Sequence, residues 1–192
     1  MTTRAPALPA EDRRAAIIAA TLPLMLERGA SVTTKQIAEA AGIAEGTIFG
    51  VFPDKQAVVQ AALQAAFDPE PTERQLRKID RSKAFEAQLE EAVQILQRRL
   101  ADIWRLITSF GEPSDKPSPP NDSAALADLL RAGHCQLRTD PALAARQLRA
   151  LTMALSHPVL FAGEPMPAKE IVSLLLDGIR LRDNAGEGGG RP

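Results

Sequence analysis

The sequence predicts an all-α protein, and three observations carry that reading. Apolar residues recur at spacings of three and four along most of the chain, no run alternates as a strand would, and aromatics total only 4% with no tyrosine. A core with so few aromatic rings must be aliphatic and alanine, which suits close-packed helices better than β-branched and aromatic strands. At 192 residues the chain can bury one sizeable core or join a small domain to a larger one.

Each element follows from local signals. Residues 1–10 hold three alanines and two prolines before any periodicity and are expected to be a flexible arm. From Glu11 to Arg28, Ile17, Ile18, Leu22, Met25 and Leu26 fall at helical spacing; Gly29 supplies the stop and Pro23 should kink the helix. Thr33 and Gln36 form a T-x-x-Q capping box, which predicts a second helix from Thr34 to Ala41. Gly42 breaks it, a third helix covers about 44–51, and Pro53 ends that one. Asp54 is placed to cap a fourth helix through Phe67, with Val58, Val59, Ala62, Leu63 and Ala66 as its apolar positions.

"DPEPTER" (68–74) reads as a boundary, with two prolines and four charged residues. A long helix over 84–110 follows, then a proline-rich loop at 111–123. Further helices are expected at about 123–133, at Pro141–Leu160 and at Pro167–Arg182, before a disordered tail from 184 to 192. The predicted organisation is an arm (1–10), a first domain (11–67), a second domain (68–183) and the tail.

Charge does not single out a partner. The net charge is −1, and residues 1–67 hold six basic side chains against six acidic ones. Residues 72–83 carry five basic and two acidic side chains, by default a solvated helix face and otherwise an electrostatic supplement to nucleic-acid binding. The lone cysteine, Cys135, excludes an internal disulfide and suits a reducing compartment. No apolar run approaches the ~20 residues that span a bilayer, and the N-terminus lacks a signal-peptide core. A cytoplasmic protein without membrane partners is expected.

The stretch "QIAEAAGIAEGTIFGVFPDK" (36–55) is the most particular in the chain. A small residue at Ala38 lets one helix cross another closely, and Gly42 can take positive φ at a tight turn. Ile37, Ile43 and Ile48 form an apolar wedge that fixes the crossing angle. Glu45, Gly46, Thr47, Phe49 and Gly50 would then lie on an exposed face able to enter a major groove. The spacing alone fits equally an αα-hairpin inside an all-α domain.

The flanking sequence separates these. "GIAEGTIFGVFPDKQAVVQAAL" resembles the DNA-binding domain of the TetR/AcrR family of bacterial transcriptional regulators. The preceding "RRAAIIAATLPLMLERGASVTTKQIAEAAG" is similar to that family's first helix, its E-R-G turn and its T-T-x-x-I-A second helix. The resemblance is specific over residues 13–63 and continues more loosely to Leu181. It implies an N-terminal helix-turn-helix DNA-binding domain, with the motif at about 33–52, plus a C-terminal helical ligand-binding and dimerisation domain. It also implies a homodimer on double-stranded operator DNA and a small, mostly apolar effector.

Carried over by position, the resemblance puts Thr33 and Thr34 at phosphate contacts, Thr47 on the groove side and Lys55 on a backbone phosphate. Four positions depart from the family. Ala44 stands where a Ser or Thr usually caps the recognition helix, a cap worth ~1 kcal/mol. Phe49 stands for a tyrosine whose hydroxyl donates to phosphate, Gly50 for a polar or basic residue, and Val51 for a His or Tyr. DNA binding should therefore lean on Lys35, Lys55, backbone amides and an Arg4/Arg13/Arg14 arm. Glu45 either accepts from a cytosine amino group or is a helix-start acid favoured by the dipole.

The resemblance implies a dimer interface along the last two helices, through Leu148, Leu151, Leu155, Ile171, Leu174, Leu175 and Ile179. Trp104, Ile107 and Phe110, with Ile103, form the richest apolar stripe of the C-terminal half; it reads as core, or as the lining of an effector pocket with Met153 and His157. Adjacent His134 and Cys135 invite a metal reading, but a buried thiol beside a helix-end histidine accounts for them better. No cofactor motif or catalytic constellation is present, so no enzyme is expected. The rival to a ligand-responsive repressor is a ligand-binding or protein-interaction module on a weakened helix-turn-helix.

Overall fold

The computed structural model describes residues 9–113, 122–133, 137–161 and 163–179. Among these the regular elements are helical, with no strand. Helix α1 spans Ala10–Arg28, α2 Thr34–Ala40, α3 Glu45–Ile48, α4 Lys55–Ala66 and α5 Glu70–Arg77. Then come α6 at Phe85–Phe110, α7 at Ala124–Ala132, α8 at Pro141–Ser156 and α9 at Ala168–Ile179. Ala10, expected in the arm, already opens α1 behind Pro9; residues 1–8 and the tail from 184 lie outside the described residues.

The chain divides into two units. The first runs to Asp68 and takes back the C-terminal turns of α6 from Ala101; the second holds Pro69–Leu100 and helices α7, α8 and α9. The second domain is therefore not one uninterrupted stretch. Leu106 of α6 is buried in the core of the first unit, which claims that end of the helix.

In the first unit α1 packs on α2 and α4, and α2 packs on α3. Its core joins Ile17 and Met25 of α1 to Val32, Ile37, Ala38, Ile48, Phe52, Val58, Val59, Ala62 and Leu63. Pro23 does not interrupt α1. It lies on the exposed face, as does Ala19 one turn earlier, so the carbonyl that loses its donor faces solvent. The Asp54 carboxylate accepts from the Ala57 amide at 2.8 Å, capping α4 as the sequence implied.

In the second unit α7 packs on α5 and α8, and α8 on α9. The stretch 68–74, read as a boundary, is where the chain passes from the first unit to the second, and helix α5 begins within that proline-rich run. Prolines 69 and 71 fall at its start, where the missing amide donors have no helical acceptor in any case. The Glu73 carboxylate accepts from the Ala125 amide at 3.0 Å, which ties α5 to the start of α7 beside the Ser123 cap. Gln97 of α6 donates to Ser156 Oγ (3.1 Å) and to the Met166 carbonyl (2.8 Å), fixing the exit of α8. Helix α8 stops at Ser156 instead of Leu160 because His157 precedes Pro158 and turns extended at ψ 123°.

Candidate nucleic-acid interface

The geometry at residues 33–55 begins with caps. The Thr33 hydroxyl accepts from the Gln36 amide (3.2 Å) while the Gln36 side chain accepts from the Thr33 amide (3.0 Å), the reciprocal box read from the sequence. Helix α2 then ends in a Schellman turn: the Ile43 amide donates to the Ala38 carbonyl (3.0 Å) and the Gly42 amide to the Glu39 carbonyl (3.1 Å). Gly42 holds φ at +65°, and an added Cβ would meet nothing within 4 Å, so the requirement there is purely conformational.

Ile37, Ala38 and Ile48 are buried and Ile43 is half-buried, which assembles the wedge. Opposite it, Thr33, Lys35, Ala44, Glu45, Gly46, Phe49 and Gly50 are exposed, while Thr34, Thr47 and Lys55 are half-buried. Phe49 is the large apolar side chain on this face, at 50% exposure.

Helix α3 is shorter than the expected 44–51. Ala44 makes no side-chain cap, Gly46 and Gly50 weaken helix propensity, and the α-helical residues are Glu45–Ile48. The chain nevertheless keeps turning: the Gly50 amide donates to the Thr47 carbonyl (3.2 Å) and the Val51 and Phe52 amides to the Ile48 carbonyl (3.0 and 2.9 Å). The Thr34 hydroxyl donates to the Glu45 carboxylate at 2.5 Å, joining the start of α2 to the start of α3. No signal in the sequence announced that bond across eleven positions.

Arg14 is not part of an arm. It projects from α1 and lies 4.3 Å from the centre of the Phe52 ring, a cation–π contact behind the turn. Arg13 likewise belongs to α1, and Arg4 lies outside the described residues. In the basic stretch 72–83, Arg77 pairs with Glu70 (3.0 Å) and Glu73 (3.9 Å), and Lys83 with Glu91 (2.7 Å). These pairs favour the solvated-face reading. The same Glu91 bond raises the Lys83 pKa above its ordinary value.

The effector set does not come together within either unit. Ile107 and Phe110 pack, with Ile103, against the core of the first unit, and Trp104 is a half-buried residue of that unit. Met153 and His157 belong to the second. The His157 imidazole Nδ1 accepts from the Val159 and Leu160 amides (3.1 and 3.2 Å), holding the turn after α8.

The dimer set needs a firmer correction. Leu148, Ile171, Leu175 and Ile179 are buried in the core of their own unit, and Leu151 and Leu155 are partly buried against it. Leu174 alone of the seven is exposed, and the other large apolar side chains exposed on α8 are Leu143 and Met153. His134 and Cys135 lie outside the described residues, among which no cluster of three metal-ligating side chains occurs.

A capped helix, a Schellman turn, a buried wedge and an exposed following turn define a helix-turn-helix of the DNA-binding type. The family profile described as bacterial regulatory proteins, tetR family, matches residues 17–62. Residues 17–62 are therefore a DNA-binding domain of the TetR type.

Solved structures share the all-α fold. A protein from Mesorhizobium loti assigned to the TetR-family transcriptional regulators is 16% identical, with 91% of this chain and 100% of that one covered and a TM-score of 0.60. The TetR-family regulator HI0893 from Haemophilus influenzae is 15% identical, with 89% and 98% covered and a TM-score of 0.53. The TetR transcriptional regulator SCO0520 from Streptomyces coelicolor is 21% identical, with 87% and 98% covered and a TM-score of 0.50. No curated protein matches the chain. Among the described residues, no helix is long and apolar enough to cross a membrane.

Proposed function

We propose that the protein is a homodimeric, ligand-responsive repressor that binds a palindromic operator in the cytoplasm. The observation that carries this reading is the exposed surface of Thr33, Lys35, Gly46, Phe49 and Gly50 set over a buried Ile37–Ala38–Ile48 wedge. Such a surface offers a hydroxyl and an ammonium to phosphates, and an apolar ring with bare backbone to base edges. Lys55, at the first position of α4, supplies a second cation at the rim.

The exposed apolar side chains Leu143, Met153 and Leu174 on α8 and α9 support pairing of two copies through these helices. A two-fold of that kind presents two recognition surfaces to two half-sites. A small apolar effector releases DNA only if it binds the DNA-incompetent arrangement more tightly than the competent one.

The test is fluorescence anisotropy against duplexes taken upstream of the protein's own gene and its neighbours, with scrambled competitor, at two salt concentrations. Sequence-selective binding that weakens with salt is expected. Lys55→Ala should lower the log–log salt slope by about 0.9 for each phosphate that the lysine neutralises in the wild-type complex. Affinity no greater than for scrambled DNA on every fragment would overturn the repressor reading. It would favour a ligand-binding or protein-interaction module, for which the absence of any basic side chain in α3 is the supporting feature.

A further inference from the structure

We infer that Glu45 gates the Thr34 phosphate contact, so that Thr34 engages DNA fully only where the sequence draws Glu45 away. The inference rests on the DNA-binding reading above and assigns a specificity role within it.

The Thr34 hydroxyl has one hydrogen, and that hydrogen is committed to Glu45 Oε1 at 2.5 Å. A phosphate oxygen is an anionic acceptor and needs the same hydrogen. Carboxylate and phosphate therefore compete for one donor, and while Glu45 stays in place it also repels the arriving charge. Among the described residues no ion pair holds Glu45, and Thr34 is its side-chain partner.

Something must offer the carboxylate a better bond before Thr34 is released. Glu45 is exposed in the first turn of α3, the segment placed to enter a major groove. The exocyclic amino group of cytosine donates there, whereas the thymine edge presents an acceptor and a methyl group that a carboxylate cannot use. On a site with cytosine in register, Glu45 swings to the base and Thr34 turns to the phosphate. On other sequences it remains on Thr34, and the phosphate contact is withheld. The pair thus converts a base contact into a backbone contact, which lowers affinity for wrong DNA more than for right DNA.

The experiment compares wild type, Glu45→Ala, Thr34→Val and the double variant on the selected fragment and on scrambled duplex, with Thr34→Ser as the hydroxyl-retaining control. Thermal melts of every variant establish that the fold is kept. Glu45→Ala should tighten scrambled DNA by about threefold to tenfold and lower the specific-to-scrambled ratio. Thr34→Val should remove most of that gain, and Thr34→Ser should keep wild-type selectivity. An equal gain with and without the Thr34 hydroxyl would mean charge removal alone and would overturn the gate, as would an unchanged ratio in Glu45→Ala. If wild type itself shows no selectivity on any fragment, the DNA-binding reading falls and the gate with it.

Discussion

The Phe85 ring rests on the bare α-carbon of Gly133, so close that a Cβ added there would fall inside any permitted approach to three ring carbons. Phe85 opens α6 and Gly133 closes α7, so a missing methyl sets how nearly the two ends approach. Gly133 has φ near −100°, where any residue is comfortable, and its constraint is therefore steric. Gly133→Ala should destabilise the protein by about 1–3 kcal/mol. Combining it with Phe85→Ala should cost less than the sum of the single changes, because losing the ring removes the clash and the added methyl fills part of the space the ring leaves. Chemical denaturation of the four species measures both.

The physics at Gly42 is the opposite. Space is open around its Cα, but φ is +65°, so Gly42→Ala is strained by backbone conformation alone. A decrease of about 1 kcal/mol in a thermal or urea melt is expected, with Gly42→Asn falling less because asparagine tolerates the left-handed region.

What could be read in advance differs by range. The Thr33 box, the Asp54 cap and the Gly42 turn are settled by residues within four or five positions of each other, and the sequence displays all three. Helix α5 was hidden because prolines near 70 signal a break by composition and a helix start by position. Four of the seven residues expected at the dimer interface lie in the core of their own unit for a related reason. A three-and-four spacing at Leu148, Ile171 and Leu175 tells which side of a helix is apolar, but the same pattern serves a monomer core and an interface. The Thr34–Glu45 bond was illegible because neither side chain is unusual at its own position.

Arg14 offers a test that separates packing from DNA contact. Its guanidinium over the Phe52 ring should contribute about 0.5–1 kcal/mol, so Arg14→Ala lowers the melting temperature in the absence of DNA. Arg14→Lys should recover part of that stability, since an ammonium is attracted by the ring face but cannot stack flat on it. An arginine used only as a phosphate-binding arm would leave the melt unchanged.

Asp80 lies in the turn after α5, where its carboxylate accepts from the Ser82 amide (2.9 Å) and hydroxyl (2.7 Å). These bonds favour the ionised form and lower its pKa below the ordinary aspartate value. A depressed folded-state pKa contributes stability that is present above the unfolded value and lost as pH falls through the folded one. NMR titration should show Asp80 protonating at lower pH than a free aspartate, and Ser82→Ala should move it partway back, since the amide bond remains.

The helices proposed to pair two copies allow folding and association to be pulled apart. Leu148 is fully buried in the core of its own unit, whereas Leu174 on α9 is 52% exposed. Leu148→Ala removes packed atoms from the monomer and should cost about 2–5 kcal/mol of stability. Leu174→Glu puts a charge where a single chain has only solvent, so a lone subunit should fold normally. If two copies meet over Leu174, the change strands that charge in a dry interface, and sedimentation should report a folded monomer. A palindromic operator makes the consequence steep, because a monomer cannot engage two half-sites at once. The Leu174→Glu protein should then bind the full duplex no better than a single half-site, with its helical circular dichroism intact. A dimer that persists in Leu174→Glu would move the pairing surface away from this face of α9.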